Sequence, residues 1–128
     1  MSTQGLGQKV EECNRLQALA SKKDSEISEL MEKIKQGLEI LSSSQATHKQ
    51  KYESVISVEF LIIKIRTLVE FEHITIKNIL STESVVTSFR TFFTKRDVYL
   101  AQVSQKLTTI QNDISILSKL VYQQNFNK

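Results

Sequence analysis

From Leu38 to the C-terminus the chain contains neither glycine nor proline, and its 128 residues include only 3 Gly in all. Strand-to-strand turns draw on those two residues for their backbone geometry, so a turn-rich β-sandwich or barrel is excluded. Long helices need neither. The length fits one domain or one elongated unit, and the expected class is all-α.

A seven-residue register supports that class. Stepping from Cys13 gives Ala20, Ile27, Ile34, Leu41, His48, Val55, Ile62, Val69 and Ile76, apolar everywhere except His48. The companion row three residues later is patchier: Leu16, Leu30, Val58, Ile65 and Ile79 alternate with Lys23, Gly37, Ser44, Lys51 and Glu72. Positions three and four apart share a helical face, so the two rows form one stripe. Past Ser81 the phase changes. Val86, Phe93, Leu100, Leu107, Ile114 and Val121 then run with Phe89, Arg96, Val103, Ile110 and Leu117, and only Arg96 is polar. Such rows pack helix against helix in coiled-coil fashion.

These rows predict a disordered N-terminus over 1–8, a helix over 9–41, a hinge at 42–47, a helix over 48–80, a turn at 81–84, a helix over 84–123 and a frayed end at 124–128. At the hinge, three consecutive serines favour a break, but the heptad phase passes through unchanged. Continuity is the expectation there. At 81–84 Ser and Thr suit a helix N-cap, and the expected outcome is a turn with the last helix folded back antiparallel. The architecture is then an elongated helical hairpin or coiled coil of two or three long helices.

The middle segment has a competing reading. Ile63-Lys64-Ile65-Arg66 and Ile74-Thr75-Ile76-Lys77 alternate with a period of two and carry β-branched residues, as strands do. The unbroken row Val55, Ile62, Val69, Ile76 favours helix. As a helix, 52–80 is apolar on more than one side, because Ile56, Phe60, Ile63 and Phe71 lie off the main row. Helices of that kind normally sit inside a bundle. A chain this short has too few elements to surround one, which implies a partner chain.

Catalytic chemistry finds little to work with. Cys13 occupies a core-register position, where it reads as a small apolar residue. His48 and His73 belong to no Ser–His–Asp pattern, and His48 reads as a polar interruption that sets register. No Cys-x-x-Cys or His-Glu-x-x-His spacing occurs, and Glu70, Glu72 and His73 do not share one helical face. Gly5 and Gly7 precede no strand, so no phosphate cradle is expected. No cofactor or metal is expected.

The 17 Lys plus Arg against 14 Asp plus Glu leave a net charge of +3, too little to imply nucleic acid by itself. The stretch Ser88-Phe89-Arg90-Thr91-Phe92-Phe93-Thr94-Lys95-Arg96 interleaves aromatics with cations, a pattern able to stack on single-stranded nucleic acid or to meet a membrane surface. Its aromatics also continue the heptad row, which favours packing. No apolar run is long enough to span a bilayer, and the first residues lack the pattern of a secretory signal. One cysteine excludes an internal disulfide. An intracellular location, cytoplasmic or nuclear, is the expectation.

In general build the helical pattern resembles small subunits of kinetochore, augmin, synaptonemal-complex and lysosome-related organelle assemblies. Prefoldin subunits are similar in length and in helix–hairpin–helix order. The expected role is a non-catalytic coiled-coil interaction subunit or scaffold of a multi-protein intracellular complex. Its partner is a protein, with a hetero-oligomer favoured over a homo-oligomer. The expected binding stripes are Val55, Val58, Ile62, Ile65, Val69, Ile76 and Ile79 on the middle helix and Val86, Phe89, Phe93, Leu100, Val103, Leu107, Ile110, Ile114 and Leu117 on the last. The alternatives are a nucleic-acid- or membrane-binding module using 88–96, or a prefoldin-like chaperone subunit.

Overall fold

The computed structural model describes residues 2–82 and 85–126, with side chains from 7 to 123. Three long helices account for nearly all of it: α1 (Ser2–Ser42), α2 (His48–Leu80) and α3 (Thr87–Phe126). They run up, down and up. α2 is the central element and packs against both others, while α1 and α3 touch only sparsely. The fold is all-α.

The chain breaks at 42–47, where the serines favoured a break and the heptad phase favoured continuity. α1 ends as Ser42 Oγ donates to the Leu38 carbonyl, Ser43 N–H to Ile40 and Gln45 N–H to Ser43 Oγ. Each serine offers the backbone an alternative to the next helical bond. Thr47 then opens α2 with a capping box: its hydroxyl accepts from Gln50 N–H, and the Gln50 side chain accepts from Thr47 N–H. Two orphan donors are satisfied at once. The heptad phase survived because Leu41 and His48 are seven residues apart whether the chain continues or folds back.

α2 ends at Leu80. Ser81 and Thr82 N–H groups donate to Lys77 and Ile79, and both hydroxyls donate to Asn78. Arg90 reaches back from α3 to donate to the Leu80 and Thr82 carbonyls, each at 2.9 Å. A cation there satisfies orphan acceptors and meets the negative end of the α2 dipole. α3 starts at Thr87, three residues later than expected; residues 83 and 84 of the expected turn lie outside the described residues. At the termini, α1 already begins at Ser2 and α3 runs to Phe126, where disordered and frayed ends were expected. Gly5 and Gly7 weaken a helix without terminating it, and no proline does so.

The strand reading of 60–80 is overturned: α2 is continuous helix throughout. With it goes the helix–hairpin–helix order on which the prefoldin comparison rested.

One glycine marks where α1 and α2 approach closely. A Cβ at Gly37 would stand 2.6 Å from Val58 Cγ2, and Val58 is fully buried and stiff at χ1. Gly37→Ala is therefore expected to destabilise by about 1–3 kcal/mol through overpacking, despite a helix-propensity gain of about 1 kcal/mol. Urea titration checks this. Adding Val58→Ala should recover part of the loss, visible as non-additivity in a double-mutant cycle.

Candidate functional site

The residues expected to bind a partner are for the most part buried inside the chain. Val55, Val58, Ile62, Ile65, Val69, Ile76 and Ile79 of α2 face Phe93, Leu100, Val103, Leu107 and Ile114 of α3 in one core, joined by Cys13, Ile27, Leu30, Ile34 and Leu41 of α1. Phe89, Ile110 and Leu117 pack at its edge, half-buried. Val86 alone stays out, 50% exposed, because it precedes α3. The expectation is corrected accordingly: these stripes close on one another. A dense apolar row is covered by the nearest matching row, and here that row is in the same chain.

The charged exceptions in the rows also meet. Arg96 of α3 is buried and makes a bidentate contact with Glu72 of α2, Nε to Oε2 at 2.5 Å and Nη2 to Oε1 at 3.0 Å. Its Nη1 donates to Asp24 of α1, and its guanidinium carbon lies 5.0 Å from the Tyr99 ring centroid. One side chain thus ties all three helices. Burial works against its charge, but hydrogen bonds to Glu72 and Asp24 outweigh that and hold its pKa above the ordinary arginine value.

That network and its neighbours engage much of the cationic-aromatic stretch. Phe93 and Arg96 are buried, Arg90 is occupied at the end of α2, and Phe89 and Phe92 pack against the core. Stacking on a base would need free aromatic faces, and only the fringes of these are free.

Groups with chemical potential are dispersed. His48 Nε2 lies 2.9 Å from the Val121 carbonyl, tying the start of α2 to the end of α3, and Tyr52 packs edge-on against Tyr122 beside it. His73 Nδ1 stands 2.6 Å from Asp97 Oδ1 on the surface. Burial, then Glu12, raises the Cys13 thiol above its ordinary pKa, disfavouring a reactive thiolate. Among the described residues no three His, Cys, Asp or Glu side chains converge as a metal site requires. No described helix is long and apolar enough to cross a membrane.

What stands out is the far side of α2. Ile56, Phe60, Ile63, Phe71 and Ile74 expose 51–70% of their surface. At 3.6 residues per turn these positions and Thr67 fall within an arc of about 80°, opposite the buried row. Lys23 of α1 reaches the edge of this face, its Nζ 5.8 Å from the Phe71 centroid. α2 is thus apolar on two opposite faces, and its own chain covers one. Sequence reasoning took Ile56, Phe60, Ile63 and Phe71, lying off the main row, as grounds for a partner chain but placed the binding stripes on the main rows; Ile74 was missed because it was read within an alternating strand pattern. Phe60, Ile63, Thr67 and Ile74, spaced three, four and seven apart, were the available signal.

A second concave surface lies between α1 and α3. It is an open groove of about 470 Å³ bordered by Ile27, Met31 and Leu38 on one side and Tyr99, Val103 and Ile110 on the other. It follows from the sparse packing between the two outer helices. No protein-family model, curated protein or solved structure matches this chain.

Proposed function

We propose that the protein is a non-catalytic helical interaction subunit or scaffold of a multi-protein complex, working inside the cell in cytoplasm or nucleus, and that it binds its protein partner by helix-on-helix burial. The observation that carries this reading is the exposed apolar face of α2. Five large side chains at helical spacing remain in water on an otherwise folded chain. Contiguous patches of that kind mark interaction surfaces on soluble proteins, and a helix face meets another helix most readily. The lone cysteine, buried and unpaired, is consistent with a reducing compartment.

Phe60→Glu tests the reading, because Phe60 lies outside the core and its loss should change folding stability by only about 0.5 kcal/mol. In affinity capture from the native cell, the variant is expected to lose specifically bound partners by about 30-fold or more, as for a central aromatic anchor. Binding should hold in high salt. Equal capture by both proteins would overturn the proposal, and a steep fall with salt would favour an anionic ligand instead.

A further inference from the structure

We infer that α1 is an exchangeable element: the loop at 43–47 straightens into helix, and α1 then packs on α2 and α3 of a second copy in a domain-swapped dimer. The seat it takes is the one it already fills in its own chain. Fit between the copies is therefore the internal interface over again, and exchange of an identical element gives a two-fold dimer without a new surface.

The bonding pattern singles out α1. Among the described residues no hydrogen bond joins α1 to α2, and the contact of Asp24 with Arg96 is the one that joins it to α3. By contrast, His48, Arg66, Glu72 and His73 of α2 all bond to α3. α1 is held by apolar packing and one nearly half-exposed carboxylate, so it leaves without breaking the buried Arg96–Glu72 pair.

The two turns differ in the same sense. Past α2 the seven-residue row would run on through Glu83 and Arg90, and Arg90 holds the Leu80 and Thr82 carbonyls. That turn is fixed. At 43–47 the row continues in phase, and every bond of the break spans four residues or fewer. No residue there is Gly or Pro, and none has a positive φ. Thr47 stands at φ −72°, a helical value, and ψ 161°; rotating ψ to about −42° brings it into a helix.

Phase decides whether the straightened helix keeps its stripe. Gly37 of α1 lies against Val58 of α2, three heptads further on, and the buried Leu30 and Ile65 stand five heptads apart. In one continuous coiled-coil helix these residues share a face. Two such helices, side by side and antiparallel, set Gly37 of each copy level with Val58 of the other, and Leu30 level with Ile65. The two-fold axis passes between Thr47 and His48, where Ser43, Ser44, Ala46 and Thr47 are small enough for the helices to pass closely. Each copy keeps the outer face of α2 open.

The dimer repeats the contacts of the monomer, so the hinge and the effective concentration of α1 at its own seat set the balance. That concentration is of about millimolar order, and the wild-type chain is expected to be a monomer at about 10 µM. Ser43→Ala, Ser44→Ala and Thr47→Ala together remove local caps and raise helix propensity. They should tighten the dimer by about 100-fold and populate it at about 100 µM. Sedimentation velocity after refolding at that concentration reads the mass. Spin labels at Glu29→Cys and Lys64→Cys, both exposed, read the swap, with Cys13 replaced by alanine and labelled chains diluted into unlabelled ones. Neighbouring helices of the hairpin stand about 10 Å apart between axes, whereas the straight helix separates the two positions by about 52 Å.

A dimer with the long distance is the expected result, unchanged on adding Phe60→Glu, because the outer face of α2 takes no part. A folded monomer of the triple variant at 100 µM would overturn the proposal. So would a dimer that keeps the short distance, or one that Phe60→Glu dissociates. Should the triple variant lose its helical circular dichroism, Thr47→Ala alone, refolded at about 1 mM, is read by the same two measurements.

Discussion

Replacing Arg96 with alanine is expected to lower the unfolding free energy by about 3–5 kcal/mol, read from a urea titration, because the change leaves the buried Glu72 carboxylate without its partner. The Arg96–Glu72 pair is bidentate and enclosed between two helices, with Asp24 adding a third tie from α1. Removing the whole pair should cost far less. Arg96→Met combined with Glu72→Leu takes both charges out of the core together and is expected to fall within about 1 kcal/mol of the wild type, or above it, since the desolvation cost disappears with the charges. Asp24 is nearly half exposed, so Asp24→Asn should cost no more than about 1 kcal/mol. A double variant as unstable as Arg96→Ala would show that the charges themselves hold the fold. The outcome expected here assigns them to choosing it, because only one antiparallel register of α2 and α3 pairs Arg96 with Glu72.

Leu107→Asp should abolish the helical fold, whereas Lys106→Asp should leave it within about 0.5 kcal/mol of the wild type. Leu107 is fully buried where α2 and α3 meet; Lys106 is its exposed neighbour at the rim of the α1–α3 groove. Truncating a buried leucine already costs about 2–5 kcal/mol, and an unpaired carboxylate in the same place adds several more. Together these amount to half or more of the stability of an ordinary domain, which is about 5–15 kcal/mol. Far-UV circular dichroism and thermal melting separate the two variants at once. Similar losses from both would mean that the heptad register of α3 is misassigned.

Much of this fold was legible because periodicity survives the passage from sequence to structure. The rows through Val55 and Phe93 became the core, and the serine and threonine cluster after Leu80 became a turn. Two features escaped for physical reasons. The loop between Ser42 and His48 preserves the seven-residue spacing, and spacing alone does not distinguish a continuous helix from one folded back. Local capping by Ser42, Ser43 and Thr47 decided it. Likewise, an apolar row shows that a face is buried without showing whether the covering helix lies in the same chain. The densest rows found each other internally, and the sparser row through Phe60 and Ile74 was left outside. Glu72 and Arg96 looked like flaws in their rows. Their opposite signs and equal distance in sequence from position 84 were the clue that they pair.

The central claim is that α2 has one face closed by its own chain and one open until a partner covers it. The chain has no tryptophan, so Phe60→Trp supplies a single reporter on the open face of α2 and Phe93→Trp, on α3, one in the core against its closed face. In dilute solution the reporter at position 60 should emit as in water and be quenched freely by acrylamide, and the one at position 93 should be blue-shifted and protected. Adding captured partner should shift the position-60 emission to the blue and protect it while leaving position 93 unchanged. A position-60 reporter already protected in the dilute monomer, or one that stays exposed in every assembly the protein forms, would contradict the account.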